Sequence, residues 1–221
     1  MPLETIKKLP KGQFTIDDSP PVSPGKRNEL VRVHLSRSFE SSPAQGINAT
    51  RNMLESNLKE NYYSSEELER NLKDCESILE SQLSDDGKLR ACIEFIRETV
   101  ENNGRVLIFC MYKKTVEYLK ENLEKEFGVN VSSLTGDDTK KNKDRTCERF
   151  SPVFRGKRQK KSDPQILIAT DCLSEGIDLP DASLMVNYDL FWTPLKLVQR
   201  VGRLDRPTKK KREFTVANLV P

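Results

Sequence analysis

The stretch ILIATDCLSEGIDLPDA, residues 166–182, begins with four apolar residues and continues into a turn of small and acidic ones. A second apolar run, VLIF, occupies residues 106–109. Neither run alternates with polar residues, as the strands of a half-exposed sheet do. Strands buried on both faces are typical of parallel sheets. The two runs therefore predict the central strands of an α/β domain.

Helical patterns and short apolar runs alternate around these two strands. The predicted strands cover residues 106–110, 129–134, 166–169, 184–188 and 214–220, and the predicted helices cover residues 113–127, 139–150 and 194–202. Strands separated by helices form βαβ units with right-handed crossovers. We therefore predict that residues 84–221 form one domain with a mainly parallel sheet flanked by helices.

The N-terminal part of the chain has a different pattern. Residues 1–46 are rich in proline and serine and show little periodicity, so we predict a poorly patterned lead-in with a short strand over Leu30–Leu35. Residues 47–83 form a predicted helical segment, with a stripe that includes Leu72, Cys75 and Leu79. This stripe could face a partner chain, pack on another lobe, or pack on helices of the same lobe.

Composition excludes several functional classes. The 221 residues carry 37 Lys and Arg against 34 Asp and Glu, a net charge of +3, so only local clusters could bind nucleic acid. The five cysteines include no Cys-x-x-Cys pair, and His34 is the single histidine, so we expect reduced thiols and no metal site. Without a long apolar run or a signal-peptide core, the chain is expected to be cytoplasmic and to have no membrane partner.

The octapeptide QRVGRLDR, residues 199–206, places Arg200, Arg203 and Arg206 at successive spacings of three. On a helix or its C-terminal turn these arginines share one edge. Guanidinium groups stay charged and present a planar fork of donors, which suits a polyphosphate. A solvated basic face is the alternative for such a row taken alone.

The turn after the predicted strand at 166–169 lies where ligands bind in parallel sheets. Gly176 permits close approach of the backbone, the Thr170 hydroxyl could contact a phosphate, and the Asp178 carboxylate could accept from a sugar hydroxyl. An ordinary βα loop would have the same residue types.

The order of these segments resembles the second RecA-like lobe of a superfamily 2 helicase, a lobe of the P-loop-NTPase type. VLIFCMY (106–112), LTGD (134–137), the 166–182 stretch, VNYDLFWTP (186–194) and QRVGRLDR are similar to successive motifs of that lobe. Within the superfamily the chain looks closest to bacterial Swi/Snf-like ATPases, although many of these have asparagine at the position of Asp178.

The resemblance implies a role for individual residues. Arg203 and Arg206 would be arginine fingers that reach the γ-phosphate of ATP, and Gln199 would lie near the same phosphate. Gly176 and Asp178 would approach the ATP ribose or phosphates when two lobes close. Thr170 would touch a nucleic-acid phosphate.

The chain lacks the residues that hold ATP itself. No G-x-x-x-x-G-K-[ST] sequence occurs in it, so ATP and Mg²⁺ would be held mainly by an N-terminal RecA-like lobe that the chain does not contain. We therefore expect a fragment of a longer translocase or helicase, inactive alone, whose partners are that lobe and nucleic acid, with duplex DNA expected. A RecA-like lobe that has lost catalysis and serves as a binding platform is the competing hypothesis.

Two basic clusters and one aromatic residue have open interpretations. Arg155 to Lys161 precede the motif at 166–182, and Lys209 and Lys210 follow QRVGRLDR. Each cluster could bind a nucleic-acid backbone or form a solvated loop. Trp192 could stack on a base or pack beneath the arginine motif.

Overall fold

A computed structural model describes residues 24–60, 66–173, 177–191, 193–205 and 213–220, with only the backbone given for residues 24–32, 56–60, 66–69 and 71. The chain divides into two compact units, Met1–Asp86 and Gly87–Pro221. Among the predicted functional residues, Gly176, Arg206, Lys209 and Lys210 lie outside the described residues, and so does Trp192.

The second unit is built on a five-stranded sheet in the order β2-β3-β1-β4-β5. The strands are β1 (Val106–Phe109), β2 (Val131–Leu134), β3 (Ile166–Ala169), β4 (Leu184–Asn187) and β5 (Thr215–Asn218). All four pairings are parallel, and Val106 in the central strand lies opposite both Ile166 and Leu184. The predicted α/β fold with a parallel sheet is confirmed.

Four described helices accompany this sheet: α4 (Gly87–Glu101), α5 (Lys113–Phe127), α6 (Lys140–Phe150) and α7 (Pro194–Val201). Their ends have local causes. α5 stops at Gly128, whose φ of 61° is a left-handed conformation that glycine adopts without strain. At the start of α6, the Thr139 side chain accepts from the Asn142 backbone N–H.

The core of this unit explains the unbroken apolar runs. Every residue of β1, β3 and β4 is buried, because helices cover both faces of the central strands. The core cluster includes Leu107, Phe109, Leu134, Phe150, Leu167, Ala169, Met185 and Leu204. β5 is different, since three of its four residues are exposed.

The first unit contains three described helices, α1 (Pro24–Ser41), α2 (Pro43–Glu60) and α3 (Glu66–Gln82). The strand predicted over Leu30–Leu35 is wrong, because those residues lie within α1. The described part of the predicted lead-in is helical as well. The helices of this unit also bury Ser38, Ser42 and Gln45, and these polar residues interrupt the apolar period in the sequence. They can be buried because they are hydrogen-bonded, as where the amide of Gln45 donates to the Ser38 hydroxyl at 3.3 Å.

The leucine stripe of the helical segment is covered within this unit. Leu72, Cys75 and Leu79 are buried, and Leu72 belongs to one apolar cluster with Leu35 of α1 and Ala49 of α2. Packing on neighbouring helices of the chain is therefore the interpretation that the structure supports. No helix in the described ranges combines the length and apolar character needed to cross a membrane.

Candidate functional site at the carboxyl edge of the sheet

An open cavity of about 210 Å³ lies where β1 and β3 end. The carboxyl ends of all five strands meet at this edge, because the sheet is parallel. The cavity is lined by Phe109, Asp171, Leu173, Lys196, Gln199, Arg200 and Arg203. It therefore unites the loop after β3 with the helix that bears the arginine motif.

Gln199 and Arg203 are the two predicted site residues that line the cavity. Gln199 is exposed and Arg203 is half-buried, and neither side chain has a hydrogen bond or ion pair within the described part of the chain. The Arg203 backbone is fixed from two directions. Its N–H donates to the Arg200 carbonyl at 3.0 Å, and its carbonyl accepts from the Leu179 N–H at 2.8 Å. The cavity thus presents an amide and a guanidinium, which suit an anionic ligand.

Arg200 does not share the exposed edge that the spacing of three predicts. It is only 2% exposed, its Nε donates to Asp171 Oδ1 at 2.9 Å, and its Nη1 donates to Asn187 Oδ1 at 2.7 Å. α7 ends at Val201, so Arg203 lies in the following turn rather than on the same helix. The prediction that the three arginines share one exposed edge is therefore wrong, because Arg200 is buried and its charge is neutralised by Asp171.

Aromatic rings complete the surroundings of the buried guanidinium. Arg200 lies 4.7 Å from the ring centroid of Phe109 and 5.1 Å from that of Phe191. A buried charge is tolerated when it is paired and hydrogen-bonded, and cation–π contacts strengthen as water is removed. Arg200 therefore ties α7 to the ends of β1, β3 and β4.

Asp189 is a second anchor at the same edge. Its carboxylate accepts from the Met111 N–H at 2.8 Å and from Lys88 Nζ at 3.0 Å, and its backbone carbonyl accepts from Arg200 Nη1 at 3.2 Å. Lys88 also lies 4.3 Å from the ring centroid of Tyr188. The Tyr188-Asp189 pair of the VNYDLFWTP segment thus connects α4 and the end of β1 to Arg200.

The network of contacts formed by Asp171, Asn187, Asp189 and Arg200 was not predicted from the sequence. A signal was present, because polar residues end or follow buried strands at ATD (169–171) and NYD (187–189). The carboxyl ends of neighbouring parallel strands converge, so these side chains could have been placed together once the strand order was known.

Thr170 and Asp178 lie near the cavity but do not line it. Thr170 is half-buried at the end of β3, and its N–H donates to the Leu134 carbonyl at 3.1 Å. Asp178 is half-buried and precedes Leu179, whose N–H holds the Arg203 carbonyl. The structure therefore brings the backbone of the 166–182 motif to Arg203, while the proposed contacts of the Thr170 and Asp178 side chains stay predictions.

Two buried cysteines of this unit, Cys110 and Cys147, are not prepared for nucleophilic chemistry. Burial raises the pKa of the Cys110 thiol well above its usual value, and the Asp189 carboxylate adds to the shift. Burial likewise raises the pKa of Cys147 to about 12. Both groups are therefore neutral thiols at physiological pH. In the described ranges no group of three or more His, Cys, Asp or Glu side chains could hold a metal ion.

Basic residues lie at both edges of the sheet. Lys140 and Lys141, in the first turn of α6 at the carboxyl edge, are exposed and were not singled out from the sequence. The cluster from Arg155 to Lys161 instead precedes β3, so it lies at the amino edge. It therefore lies at the opposite edge of the sheet from Thr170.

Comparison with known proteins assigns the family. The helicase conserved C-terminal domain matches residues 87–208, and the chain belongs to that family. The match includes the entire cavity lining. The resemblance to a superfamily 2 helicase C-terminal lobe is confirmed at this level.

Two curated relatives share part of the chain. The ATP-dependent RNA helicase DBP3 of Chaetomium globosum is 30% identical over 133 residues, which is 59% of this chain and 22% of that protein. The uncharacterized ATP-dependent helicase YqhH of Bacillus subtilis is 32% identical over 126 residues, which is 57% of this chain and 20% of that protein. The chain thus aligns with about a fifth of the length of either relative.

A solved structure matches the fold over most of the chain. The C-terminal part of the Fun30 ATPase domain superposes with a TM-score of 0.56 and covers 99% of this chain and 78% of that structure. The sequences are 16% identical, so this likeness concerns the fold alone.

Proposed function

We propose that the chain is the second lobe of an ATP-dependent nucleic-acid translocase or helicase, and that it supplies arginine fingers to ATP held on another lobe. One observation carries this proposal. Gln199 and Arg203 face a single cavity without intramolecular partners among the described residues, while the buried Arg200 fixes the helix that leads to them. Family membership supports the same conclusion.

The proposed chemistry is stabilisation of charge during phosphoryl transfer. Arg203 and Arg206 would contact the γ-phosphate, where a guanidinium offsets the negative charge that develops on the transferring group. Gln199 would lie beside the same phosphate, and Gly176 and Asp178 would approach the nucleotide when the lobes close. ATP and Mg²⁺ would be held mainly by the N-terminal RecA-like lobe, so the chain alone would not hydrolyse ATP.

The nucleic acid would run along the carboxyl edge of the sheet. Thr170, Lys209 and Lys210 are the contacts proposed from the sequence. We add Lys140 and Lys141, which are exposed cations at the carboxyl edge without ion pairs in the described part of the chain. Such contacts to the backbone are independent of sequence and sensitive to salt.

Duplex DNA is our first candidate for this nucleic acid, because the VNYDLFWTP segment resembles Swi/Snf-like translocases. RNA is the second candidate, because a relative at 30% identity is named an RNA helicase. Stimulation of ATP turnover by duplex DNA and by RNA of equal length, measured on the full-length protein, distinguishes the two.

The experiment that tests the arginine role is ATP turnover in the full-length protein. Arg203→Ala is expected to lower turnover about 10³-fold or more while ATP still binds, because a guanidinium that acts on the transition state is lost. Arg145→Ala is the matched control, since Arg145 is an exposed arginine of α6 outside the cavity. Unchanged turnover in Arg203→Ala would refute the proposal and favour a lobe that serves only as a binding platform.

A further inference from the structure

The loop between α6 and β3, residues 151–163, is called here the amino-edge loop. It contains five cations: Arg155, Lys157, Arg158, Lys160 and Lys161. The loop leads into the start of β3, and Asn130, which precedes β2, donates its amide to the Lys161 carbonyl at 3.0 Å. The loop therefore belongs to the edge of the sheet opposite the cavity.

The first half of the loop is held by a buried acid. Asp181 is 7% exposed, and its carboxylate accepts from the Val153 N–H at 2.7 Å and from the Phe154 N–H at 3.1 Å. The Arg155 guanidinium points inward and donates to the Ser151 carbonyl at 2.9 Å. This half of the loop is therefore tied to the body of the domain and has a defined backbone.

The second half is held in the same way by Asp163. The Asp163 side chain is 7% exposed, accepts from the Lys160 N–H at 2.8 Å, and lies 3.6 Å from Arg149 Nε. Arg149 also donates to the Ser162 carbonyl. Both buried acids therefore bind the backbone of the loop and do not neutralise its exposed lysines and arginine.

Three cations of the loop are left without a counter-charge. Arg158, Lys160 and Lys161 are exposed, and their side chains have no ion pair or hydrogen bond in the ranges that the structure describes. Lys157 differs, because its Nζ lies 3.2 Å from the Glu148 carboxylate. The loop thus holds three positively charged side chains on a fixed backbone, and such side chains can neutralise the phosphates of a polyanion.

An exposed aromatic ring accompanies these charges. Phe154 is 41% exposed and its neighbour Val153 is 54% exposed. The Arg155 guanidinium lies 6.0 Å from the Phe154 ring centroid. A ring next to several cations is the combination that binds single-stranded nucleic acid, since bases stack on the ring while phosphates meet the cations.

We infer that the amino-edge loop is a second nucleic-acid contact, in which Arg158, Lys160 and Lys161 bind backbone phosphates and Phe154 stacks on an unpaired base. This contact extends the proposed function to the opposite edge of the sheet. It does not involve the cavity arginines. A strand bound there would leave the cavity accessible to the ATP-holding lobe.

The test measures binding of the 221-residue chain to labelled oligouridine of about 20 nucleotides by fluorescence anisotropy. In the variant R158Q/K160Q/K161Q we expect about tenfold weaker binding, and a salt dependence shallower by about 2 in log–log slope between about 50 and 200 mM salt. Phe154→Ala is expected to weaken binding about fivefold or more, with the salt slope unchanged.

The matched control is R70Q/K125Q/R145Q, which removes the same charge from exposed positions outside the loop. Its affinity should stay close to that of the unmodified chain. If R158Q/K160Q/K161Q and the control have the same affinity and salt slope, the inference is wrong. Tighter binding of poly-glutamate than of oligouridine would also overturn it, because the loop would then be an acidic-protein site. This binding test does not measure ATP turnover. Its failure would therefore not affect the proposed role of Arg203, which is tested separately by ATP turnover.

Discussion

Replacing Asp171 by alanine removes the carboxylate that neutralises the buried Arg200 guanidinium. The two side chains are 20% and 2% exposed, and their closest atoms are 2.9 Å apart. Removing one partner from a buried pair costs about 3–5 kcal/mol, because the other charge stays desolvated. Arg200 Nη1 keeps Asn187 and the Asp189 carbonyl as acceptors. We therefore expect Asp171→Ala to lower the unfolding free energy by about 3 kcal/mol, the low end of that range.

The assay is urea unfolding followed by far-UV circular dichroism. The midpoint should fall while the slope against urea concentration stays the same, because the surface exposed on unfolding does not change. The matched control is Lys196→Ala, since Lys196 Nζ is 4.0 Å from Asp171 Oδ2 and its side chain is 43% exposed. Such a pair is worth about 1 kcal/mol or less.

A double variant separates the pair from its two members. Combining Asp171→Ala with Arg200→Met removes both charges, so the cost should be smaller than the sum of the single variants by about 2 kcal/mol. The reasoning is refuted if Asp171→Ala costs no more than Lys196→Ala. Strict additivity in the double variant would refute it as well, since Arg200 would then not depend on Asp171.

Three further predictions concern other parts of the chain. Gly46→Ala should lower the unfolding free energy of the first unit by about 1–3 kcal/mol in urea unfolding, because the added Cβ would lie 2.7 Å from Phe39 Cδ1. Gly87→Ala is the control, since its Cβ would meet no atom nearer than 4.0 Å. Arg105→Met should lower the melting temperature, because the buried guanidinium donates to the carbonyls of Phe150 and Pro164 at 2.7 and 2.6 Å; an unchanged melting temperature would contradict that role. With iodoacetamide at neutral pH, Cys172 should be alkylated first among the cysteines, because the other four are buried; mass spectrometry of the digested protein would show a different order if this is wrong.

The central strands could be predicted because burial on both faces leaves a direct mark on the sequence. VLIF and ILIA contain no polar residue, and both are buried throughout. α1 could not be predicted in this way. Its neighbourhood buries Ser38, Ser42 and Gln45, which satisfy one another by hydrogen bonds and so interrupt the apolar period.

The structure brings Gln199 and Arg203 of the motif at 199–206 to one cavity, while their roles stay predictions. The motif could not show that Arg200 is buried, because spacing alone does not say which guanidinium meets Asp171 and Asn187. The roles of Gly176, Arg206, Lys209 and Lys210 stay predictions, as do the domain limits and the cytoplasmic location.

The position of β1 in the sheet has a consequence for how the domain folds. Val106 pairs with Ile166 on one side and with Leu184 on the other, and both partners come much later in the chain. During synthesis the VLIF segment therefore has no neighbouring strand until the segment up to Ala169 has emerged, and no second neighbour until the segment up to Asn187 has emerged. Pairings between distant segments form slowly, and an apolar strand without partners is prone to aggregate. Refolding yield should consequently fall steeply with protein concentration, with β1 as the segment most in need of protection.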